Sequence, residues 1–327
     1  MSRLAVLGAG AWGTALAAVL AQRHEVRLWA RDRAQAGAIA RERCNSRYLP
    51  QITLPAALAV GADADAALDG AQLALVATTV SGLRETLGRA GKVPVVWLCK
   101  GFEAGSGLMP HQVAEQVLGA GAPFGALSGP SFAQEVARGL PCALTLAARE
   151  AQFARAAAAL LHGGRLRLYY STDLAGVEVG GAVKNVMALA VGISDGLGLG
   201  QNARAALITR GLAEIARLGA ALGARPETLM GLAGAGDLIL TATGDLSRNR
   251  RVGLELAKGR SLQKVLAGLG HVAEGVRTAA EVAKLAHSHG VEMPITETVV
   301  EVLAGRLAPQ QAVERLLARD ARAEGGG

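Results

Sequence analysis

The sequence predicts an α/β fold, a doubly wound and mainly parallel sheet, followed by an all-helical domain. Short apolar runs alternate with helical stretches through residues 1–170, a pattern typical of parallel strands joined by helices on both faces. After Asp173 the apolar residues recur at helical spacing, and no strand-like run appears. The hydrophobic fraction is 51% and the aromatic fraction only 3%, which favours aliphatic cores and alanine-rich helices.

Several apolar runs in the first half are predicted to be strands. They cover residues 4–7, 26–29, 73–77, 93–98, 125–128, 143–146 and 166–169. Ligands of such sheets bind beyond the carboxyl ends of the strands. The loops of interest therefore follow Leu7, Trp29, Ala77, Leu98 and Ser128.

The loop after the first strand carries Gly8-x-Gly10-x-x-Gly13, and a helix of small residues follows it. Gly8 would make the tight turn, Gly10 would let a pyrophosphate approach the backbone, and Gly13 would let the helix pack against the strand. The free N–H groups at the helix start suit an anion. The pattern predicts a Rossmann-type dinucleotide site, and the alternative is a glycine-rich turn that holds no ligand.

The end of the second strand indicates which dinucleotide binds. A site for NAD commonly has an acidic residue there, but the strand ends at Trp29-Ala30 and Arg31 and Asp32 follow. Arg31 suits the 2′-phosphate of NADP(H). The sequence thus favours NADP(H), whereas Asp32 leaves NAD(H) open and a solvated arginine is the alternative.

The domains are predicted to be a dinucleotide-binding domain over residues 1–180, a helical substrate domain over 181–320 and a disordered tail over 321–327. Pro226, Pro294 and Pro309 are expected to begin helices. The segment 173–196, which carries Lys184, is the expected hinge.

Polar residues interrupt apolar sequence in the predicted sheet domain. Lys100 lies just past a strand end, where it would face the ligand crevice unless it is a surface lysine. Ser131 follows another strand within Ser128-Gly129-Pro130-Ser131, where it suits either a helix cap or a ligand contact.

Further polar residues stand in the predicted helical domain. Lys184 interrupts an apolar helix, which is unfavourable unless it faces a cleft or snorkels to solvent. Asp237 follows a glycine-rich run and suits a lysine partner. Ser247, Arg248 and Asn249 at a helix start suit a phosphate, the alternative being a solvated basic helix start. Beside a nicotinamide site, this set predicts oxidation of a phosphorylated alcohol or reduction of its ketone.

Composition argues against several other classes of protein. The net charge of +7 is spread along the chain without a basic, aromatic-interleaved run, so nucleic-acid binding is not expected. Three separated cysteines give neither a disulfide framework nor a metal site, and Cys99 and Cys142 are expected to be buried. The apolar stretches are shorter than the roughly 20 residues of a membrane span, and no signal-peptide pattern opens the chain. A cytoplasmic protein is expected.

The chain closely resembles the bacterial NAD(P)-dependent sn-glycerol-3-phosphate dehydrogenases over nearly its whole length. The resembling motifs are GAGAWGTALA at residues 8–17, LWARD at 28–32, KGFE at 100–103, LSGPSFAQEV at 127–136, GAVKNVMALA at 181–190, GAGDL at 234–238, SRNRR at 247–251 and VAEGV at 272–276. Ala11 departs from the usual serine, which removes one hydroxyl but keeps the backbone N–H.

The resemblance implies that dihydroxyacetone phosphate and sn-glycerol 3-phosphate are interconverted for phospholipid synthesis, without a metal and in a homodimer. Lys184 would be the proton acceptor in oxidation, Lys100 would polarise the substrate oxygen, and Asp237 would orient the lysine. The implied substrate residues are Lys100, Gly129, Ser131, Lys184, Asn185, Asp237, Ser247, Arg248 and Asn249. The implied cofactor residues are Gly8, Gly10, Ala11, Trp12, Gly13, Arg31, Lys100, Ala133, Arg248, Val272 and Glu274.

Two other functions stay open from the residues alone. A hydroxyacid dehydrogenase would also combine a Rossmann domain with a helical domain, although the cluster at residues 247–249 argues for a phosphate. A nucleotide-sensing regulator would bind NADP(H) without turnover and would not need Lys100, Lys184 or Asp237.

Overall fold

Strand pairing organises the first half of the protein. The computed structural model describes residues 1–269 and 273–318, so Val272 and the predicted tail at 321–327 lie outside the described residues. The chain divides into two compact units. The first comprises Met1–Gly181 with Leu222–Asp237, and the second comprises Ala182–Ala221 with the chain from Leu238 onward. The first unit thus includes a segment that follows residue 180.

The described part of the first unit contains one eight-stranded sheet in the order β3-β2-β1-β4-β5-β6-β7-β8. The pairs from β3 to β6 are parallel, β6 and β7 pair antiparallel, and β7 and β8 are parallel. The predicted doubly wound, mainly parallel sheet is therefore confirmed. The strands are β1 Arg3–Leu7, β2 Glu25–Trp29, β3 Ala59–Gly61, β4 Leu73–Val76, β5 Val95–Trp97, β6 Phe124–Ser128, β7 Cys142–Ala147 and β8 Leu166–Ser171.

Strand β3 was not predicted from the sequence. It is three residues long and largely exposed, and it pairs in parallel with the outer edge of β2. A short, exposed edge strand needs no apolar run, so it carries no periodic signal. Its position is set by the neighbouring strand rather than by its own residues.

Helices connect the strands of the first unit. They are α1 Ala11–Leu20, α2 Arg33–Glu42, α3 Ala64–Leu68, α4 Leu83–Ala90, α5 Pro110–Leu118, α6 Ala133–Ala137 and α7 Ala151–Leu161. The later helix α10, Pro226–Leu229, belongs to the same unit and begins at the predicted proline. A π-helical turn, Leu232–Gly236, follows it.

Both faces of the sheet are buried, as β1 illustrates. Leu4 and Val6 join one hydrophobic cluster, whereas Ala5 and Leu7 join the other. A strand with two buried faces is apolar at consecutive positions, which explains why the strands appear as continuous apolar runs. The core therefore lies on either side of the sheet, and the loops at its edge are left for polar residues.

Among the described residues of the second unit, the regular secondary structure is helical. It contains the later part of α8, Leu174–Gly196, together with α9 Gly200–Ala221, α12 Arg248–Ala257, α13 Leu262–Leu269, α14 Glu274–Ser288, α15 Pro294–Leu303 and α16 Pro309–Leu317. Helix α11, Asp237–Thr243, begins at the last residue of the first unit. Helices α15 and α16 begin at their predicted prolines.

Glycines bring α8 and α12 into close contact. A Cβ atom at Gly192 would overlap the carbonyl of Arg250, and one at Gly253 would overlap the carbonyl of Leu189. The two backbones therefore approach where side chains would normally separate them. This contact fixes the start of α12 relative to α8.

Helix α8 exceeds the length that was expected of the apolar stretches in the sequence. It has 23 residues, and by length and composition it could cross a membrane. However, 94% of its apolar window is buried inside the protein. A helix in the core of a folded protein also meets these criteria of length and composition, and the burial of α8 is typical of such a core helix.

Candidate functional site

The glycine motif forms a tight turn with an open side. Gly8 has φ +126° and donates its N–H to the carbonyl of Trp29 at 3.0 Å. A Cβ at Gly8 would lie 2.8 Å from the carbonyl carbon of Ala77, and one at Gly13 would overlap the carbonyl of Gly8. At Gly10, by contrast, a Cβ would meet nothing within 4 Å. The turn thus needs Gly8 and Gly13 for packing and leaves space at Gly10.

The start of α1 suits a bound anion. Gly10 is its N-cap and supplies no side-chain hydrogen bond, so the first N–H groups of the helix lack the partner that a capping residue would give. Ala11 and Trp12 are the first residues of this helix, and Trp12 packs against the sheet core. Since β1 and β4 are neighbours where the strand order reverses, the turn lies at the position where dinucleotides bind to such sheets. These residues fit the diphosphate of a dinucleotide.

Two amides that were not predicted from the sequence hold this turn. Gln35 and Asn45 donate to the carbonyl of Ala9 at 3.0 and 2.9 Å. Asn45 also donates to the hydroxyl of Thr14 at 2.8 Å and is 1% exposed. Both residues are distant in sequence from the motif, so no local pattern indicates their role. They fix the turn that carries the glycine motif.

Arg31 and Asp32, which follow β2, differ in their contacts. Asp32 caps α2, accepting hydrogen bonds from the N–H groups of Ala34 and Gln35 at 2.8 and 3.2 Å. Arg31 is exposed and makes no ion pair within the part of the chain that the structure describes. Both side chains are exposed, but the carboxylate of Asp32 is engaged in the helix cap, whereas the guanidinium of Arg31 is not held by an ion pair.

Lys100 and Asp237 form an ion pair that is largely buried. Lys100 lies three residues past β5, and its Nζ is 2.5 Å from Oδ2 of Asp237. Their side chains are 14% and 1% exposed, so Lys100 is not a solvated surface lysine. The π-helical turn before α11 places Asp237 at the start of that helix. Asp237 therefore holds a lysine ammonium, as its sequence position suggested.

The loop after β6 lies close to this pair. Ser131 Oγ donates to the carbonyl of Gly129, whose φ is +142°, at 3.0 Å. The N-cap of α6 is Phe132, so the interpretation of Ser131 as a helix cap is wrong. The hydroxyl stabilises the loop instead, because α6 begins one residue later than capping by Ser131 requires. Ala133 is the first residue of α6.

One of the cysteines supports the same loop. Cys142 is buried and its Sγ donates to the carbonyl of Pro130 at 3.4 Å. Burial raises the pKa of Cys142 to about 11, and Lys100 opposes that rise, so the thiol stays protonated. The prediction of burial holds for Cys142, but Cys99 is only partly buried. Within the described residues no cluster of three or more potential metal ligands occurs.

Lys184 is buried inside the helical unit. It is 7% exposed, and its Nζ donates to Oγ1 of Thr241 on α11 at 2.8 Å. A snorkelling lysine would expose its ammonium group, so that alternative is wrong. Burial of a lysine is costly unless hydrogen bonds compensate, and its retention inside a core helix points to a chemical task.

The cluster at the start of α12 separates into engaged and exposed groups. Ser247 is the N-cap and accepts from the N–H of Arg250 at 3.2 Å. Arg250 is bound to Asp195 at 2.8 Å and to Asp245 at 2.9 Å. Arg248, in contrast, is exposed at the first helical position. A solvated basic helix start does not describe this cluster, since Ser247 and Asn249 are buried.

Asn249 links this cluster to Asn185, another predicted site residue, and to the start of α14. Its Nδ2 donates to Oδ1 of Asn185 at 2.8 Å, and its Oδ1 accepts from the N–H of Gly275 at 3.0 Å. Gly275 follows Glu274, the first residue of α14. The sequence did not indicate this link. Val272, the remaining predicted cofactor residue, lies outside the described residues.

A glycine turn with an open side in a Rossmann-type unit, together with a buried lysine in a helical unit, is typical of NAD(P)-dependent dehydrogenases. Within that class, the family models for the NAD-dependent glycerol-3-phosphate dehydrogenase N-terminus and C-terminus match residues 3–154 and 173–314. The chain belongs to this family.

Named relatives agree with the family models along the full length. The glycerol-3-phosphate dehydrogenase [NAD(P)+] of Methylibium petroleiphilum is 61% identical, covering 99% of this chain and 98% of that one. The enzyme of the same name from Dechloromonas aromatica is 59% identical, over 98% and 99% of the two chains. The crystal structure of glycerol-3-phosphate dehydrogenase from Coxiella burnetii superposes with a TM-score of 0.92 at 43% identity, covering 97% of this chain and 98% of that one.

Proposed function

We propose that the protein is a glycerol-3-phosphate dehydrogenase that interconverts dihydroxyacetone phosphate and sn-glycerol 3-phosphate with NAD(P)(H). The observation that carries the proposal is a set of two separate lysines that are largely removed from solvent and held by polar partners, Lys100 by Asp237 and Lys184 by Thr241. These groups stand in a chain whose relatives have this enzyme name at full length. Hydride transfer between a nicotinamide and a secondary alcohol needs such proton-handling groups.

The proposed cofactor residues are supported by the geometry of the glycine turn and, for the residues outside it, by the resemblance to the family. Gly8, Gly10 and Gly13 would hold the diphosphate at the start of α1, together with Ala11 and Trp12. Ala133, Lys100, Arg248, Val272 and Glu274 would complete the site. When bound, the nicotinamide supplies the hydride. We further propose that NADP(H) is preferred, because Arg31 is exposed while the Asp32 carboxylate caps α2.

The reacting oxygen is handled by the two lysines. In reduction, the carbonyl carbon gains a hydride while Lys184 gives a proton to the carbonyl oxygen, which yields the alcohol. In oxidation the neutral amine of Lys184 takes that proton back. Lys100 polarises the same oxygen, and Asp237 holds its ammonium in position and contacts the substrate. A positioned acid or base of this kind contributes a rate factor of roughly 10²–10⁴.

The substrate phosphate would bind at the start of α12. Ser247, Arg248 and Asn249 combine hydroxyl, guanidinium and backbone N–H groups there, where the helix dipole also favours an anion. Gly129 and Ser131 would approach the substrate from the loop after β6, and Asn185 from α8. Because Arg250 is bound to two carboxylates, Arg248 is the arginine assigned to the phosphate.

The setting of the enzyme is also part of the proposal. The product is a precursor of glycerophospholipids, so we assign the protein to lipid synthesis in the cytoplasm, without a nucleic-acid partner. We propose a homodimer that forms through the helical unit. A cavity of about 750 Å³ in that unit has largely apolar walls, and its lining residues Leu199 and Leu317 are 43% and 79% exposed.

The decisive experiment follows the loss of absorbance of NADPH and of NADH with dihydroxyacetone phosphate. We expect turnover with both cofactors, faster with NADPH at low concentration, and little turnover with unphosphorylated dihydroxyacetone. Folded protein that binds NADPH but reduces only 2-oxo acids would instead establish a hydroxyacid dehydrogenase. Binding without turnover of any phosphorylated ketone would indicate a nucleotide sensor.

Cofactor preference is tested with Arg31→Glu. The substitution places a carboxylate where the 2′-phosphate is proposed to lie, so NADPH affinity should fall far more than NADH affinity. Arg41→Glu, in the last turn of the same helix that Asp32 caps, is the matched control and should leave the preference unchanged. An equal loss of both cofactors in Arg31→Glu would overturn the assignment of Arg31.

A further inference from the structure

A largely buried pair of side chains joins α5 to the beginning of α8 within the first unit. Nδ1 of His111 lies 2.5 Å from Oε2 of Glu178, and the backbone N–H of His111 donates to Oε1 of Glu178 at 2.9 Å. The two side chains are only 12% and 3% exposed. Neither residue was predicted from the sequence, and the proposed reaction uses neither of them directly.

Glu178 completes the start of α5. The N-cap of this helix, Met109, offers no side-chain hydrogen bond, and Pro110 has no N–H, so His111 carries the first N–H that needs a partner. Oε1 of Glu178 supplies that partner from 67 positions away. The helix dipole favours a carboxylate at this place, and Nδ1 of His111 then donates to its second oxygen. Burial disfavours the charged form of His111, but Glu178 outweighs burial and raises the pKa of His111.

The loop that carries Lys100 ends at this helix. Strand β5 ends at Trp97 and α5 begins at Pro110, so residues 98–109 form the connection between them. Lys100 lies three residues past the strand, near the beginning of the loop. The bonds of His111 therefore anchor the end of the loop that follows Lys100.

The same turn of α8 packs against Lys100. Gly181 follows Glu178 by three positions, which places both residues on one face of the helix. A Cβ at Gly181 would lie 3.4 Å from Cγ and 3.5 Å from Cδ of Lys100. The aliphatic part of the lysine thus lies against the backbone of α8, within one turn of the carboxylate that binds His111.

We infer that Glu178 and His111 are positioning residues, which keep α8 and the loop of Lys100 in register so that the Lys100 ammonium reaches the substrate oxygen. Asp237 holds the ammonium group itself, whereas the position of the lysine backbone depends on the loop. A displacement of about 1 Å at a reacting group can lower a rate about 100-fold. The inference rests on the proposed function, since it assigns the pair an indirect role in polarising that oxygen.

The test compares His111→Leu with His111→Asn. The amide nitrogen of asparagine takes the place of Nδ1 and can donate to Glu178, whereas leucine has nearly the shape of asparagine but no donor. We expect kcat/KM for dihydroxyacetone phosphate to fall roughly 10- to 100-fold in His111→Leu. In His111→Asn it should stay within about threefold of the unaltered protein, which corresponds to under 1 kcal/mol.

Two further variants support this comparison. His287→Leu makes the same change at an exposed position of α14 and should retain full activity, so it is the matched control. His111→Ala removes the ring without placing an apolar side chain beside the carboxylate, and it should repeat the fall in kcat/KM. The alanine variant keeps the inference testable if His111→Leu proves unstable, since the backbone N–H of residue 111 still caps α5.

A double variant separates positioning from a general loss of structure. If the pair acts through Lys100, adding His111→Leu to Lys100→Met should cost no further activity. NADPH should still bind to each single variant of His111, as measured by titration, because the cap of α5 by the backbone N–H is unchanged.

Several results would overturn the inference. They are a full additional loss in the double variant, unchanged kcat/KM in His111→Leu and His111→Ala, an equal fall in His111→Leu and His111→Asn, and a loss of NADPH binding as large as the loss of activity. Failure of the proposed function is distinct, because the unaltered protein would then not reduce dihydroxyacetone phosphate.

Discussion

At the scale of single residues, the proposed chemistry depends on two lysines that are largely removed from solvent. Lys184 lies inside an apolar helix and is held by the Thr241 hydroxyl, whereas Lys100 is held by the carboxylate of Asp237. We propose that Lys184 exchanges the proton with the substrate oxygen and that Lys100, held by Asp237, polarises the same oxygen.

Lys184→Ala should abolish turnover and leave cofactor affinity nearly intact. The loss of the proton donor should lower kcat at least about 100-fold, measured as NADPH oxidation with saturating dihydroxyacetone phosphate. Lys258→Ala is the control, since that lysine is exposed and pairs with Glu255 within α12 and its cap. A fall in NADPH affinity as large as the fall in turnover would contradict the assignment.

At the scale of elements, helix ends are completed by residues from elsewhere in the chain. Met293, the N-cap of α15, provides no side-chain hydrogen bond. Glu214 of α9 takes that role, accepting from the N–H groups of Ile295 and Thr296 at 2.6 and 3.2 Å. Such a cap satisfies the unpaired N–H groups of the first turn, and nothing in the local sequence of α15 indicates it.

Stability should decrease with rising pH because of Glu214. Burial raises its pKa to about 7, although the N–H groups of α15 and the nearby Arg217 oppose the rise. The folded protein then holds a proton that the unfolded chain releases at its lower pKa, so stability is present below pH 4 to 5 and lost up to about pH 7. The loss is of the order of 3 kcal/mol.

Denaturant unfolding of Glu214→Gln across pH 5 to 8 measures this effect. The variant should lose less stability over that range than the unaltered protein, because glutamine does not titrate. Glu297→Gln, at an exposed position in the first turn of α15, is the control and should retain the full pH dependence. Parallel pH profiles for the unaltered protein and Glu214→Gln would exclude Glu214 as the source.

The glycine turn also allows a prediction about two substitutions. Gly13→Ala should destabilise the fold by roughly 1–3 kcal/mol, as other overpacked sites do, because its Cβ would overlap the carbonyl of Gly8. Gly10→Ala should fold normally, since its Cβ meets open space. The variant should nevertheless bind NADPH more weakly. Thermal unfolding and a cofactor titration separate the two; a normal affinity in Gly10→Ala would contradict the proposed diphosphate position.

At the scale of the whole molecule, each unit contains part of the proposed site. The first contains the glycine turn and the Lys100–Asp237 pair, and the second contains Lys184 and the start of α12. The proposed reaction needs both parts. The apolar cavity lined in part by Leu199 and Leu317 belongs to the second unit alone and has no assigned role in the reaction.

We predict that the protein is a dimer in solution. Light scattering should give about twice the chain mass of 33.3 kDa for the unaltered protein. Leu317→Glu should shift the protein toward the monomer by placing a charge in the proposed interface. Met230→Glu changes an exposed apolar residue of the other unit and is the control. A dimer that survives Leu317→Glu unchanged would place the interface elsewhere.

The sequence by itself determined the sheet, the glycine turn and the position of each main polar cluster. Those features depend on local rules: apolar runs form strands buried on two faces, glycines permit the turn at Gly8, and prolines begin helices. The short strand β3 was not predicted, since an exposed edge strand has no periodicity. For Ser131 the sequence left a helix cap and a ligand contact open, and the cap is excluded because α6 begins after Phe132.

The tertiary structure decided which groups pair. Asn45 with the Ala9 carbonyl, Asp237 with Lys100, Glu214 with α15 and Asn249 with Asn185 join residues that are 36, 137, 81 and 64 positions apart. Many polar residues in a sequence could satisfy a given N–H or ammonium group, and local pattern does not choose among them. The choice is made by folding, because only packing brings one particular partner within hydrogen-bonding distance and excludes water from the rest.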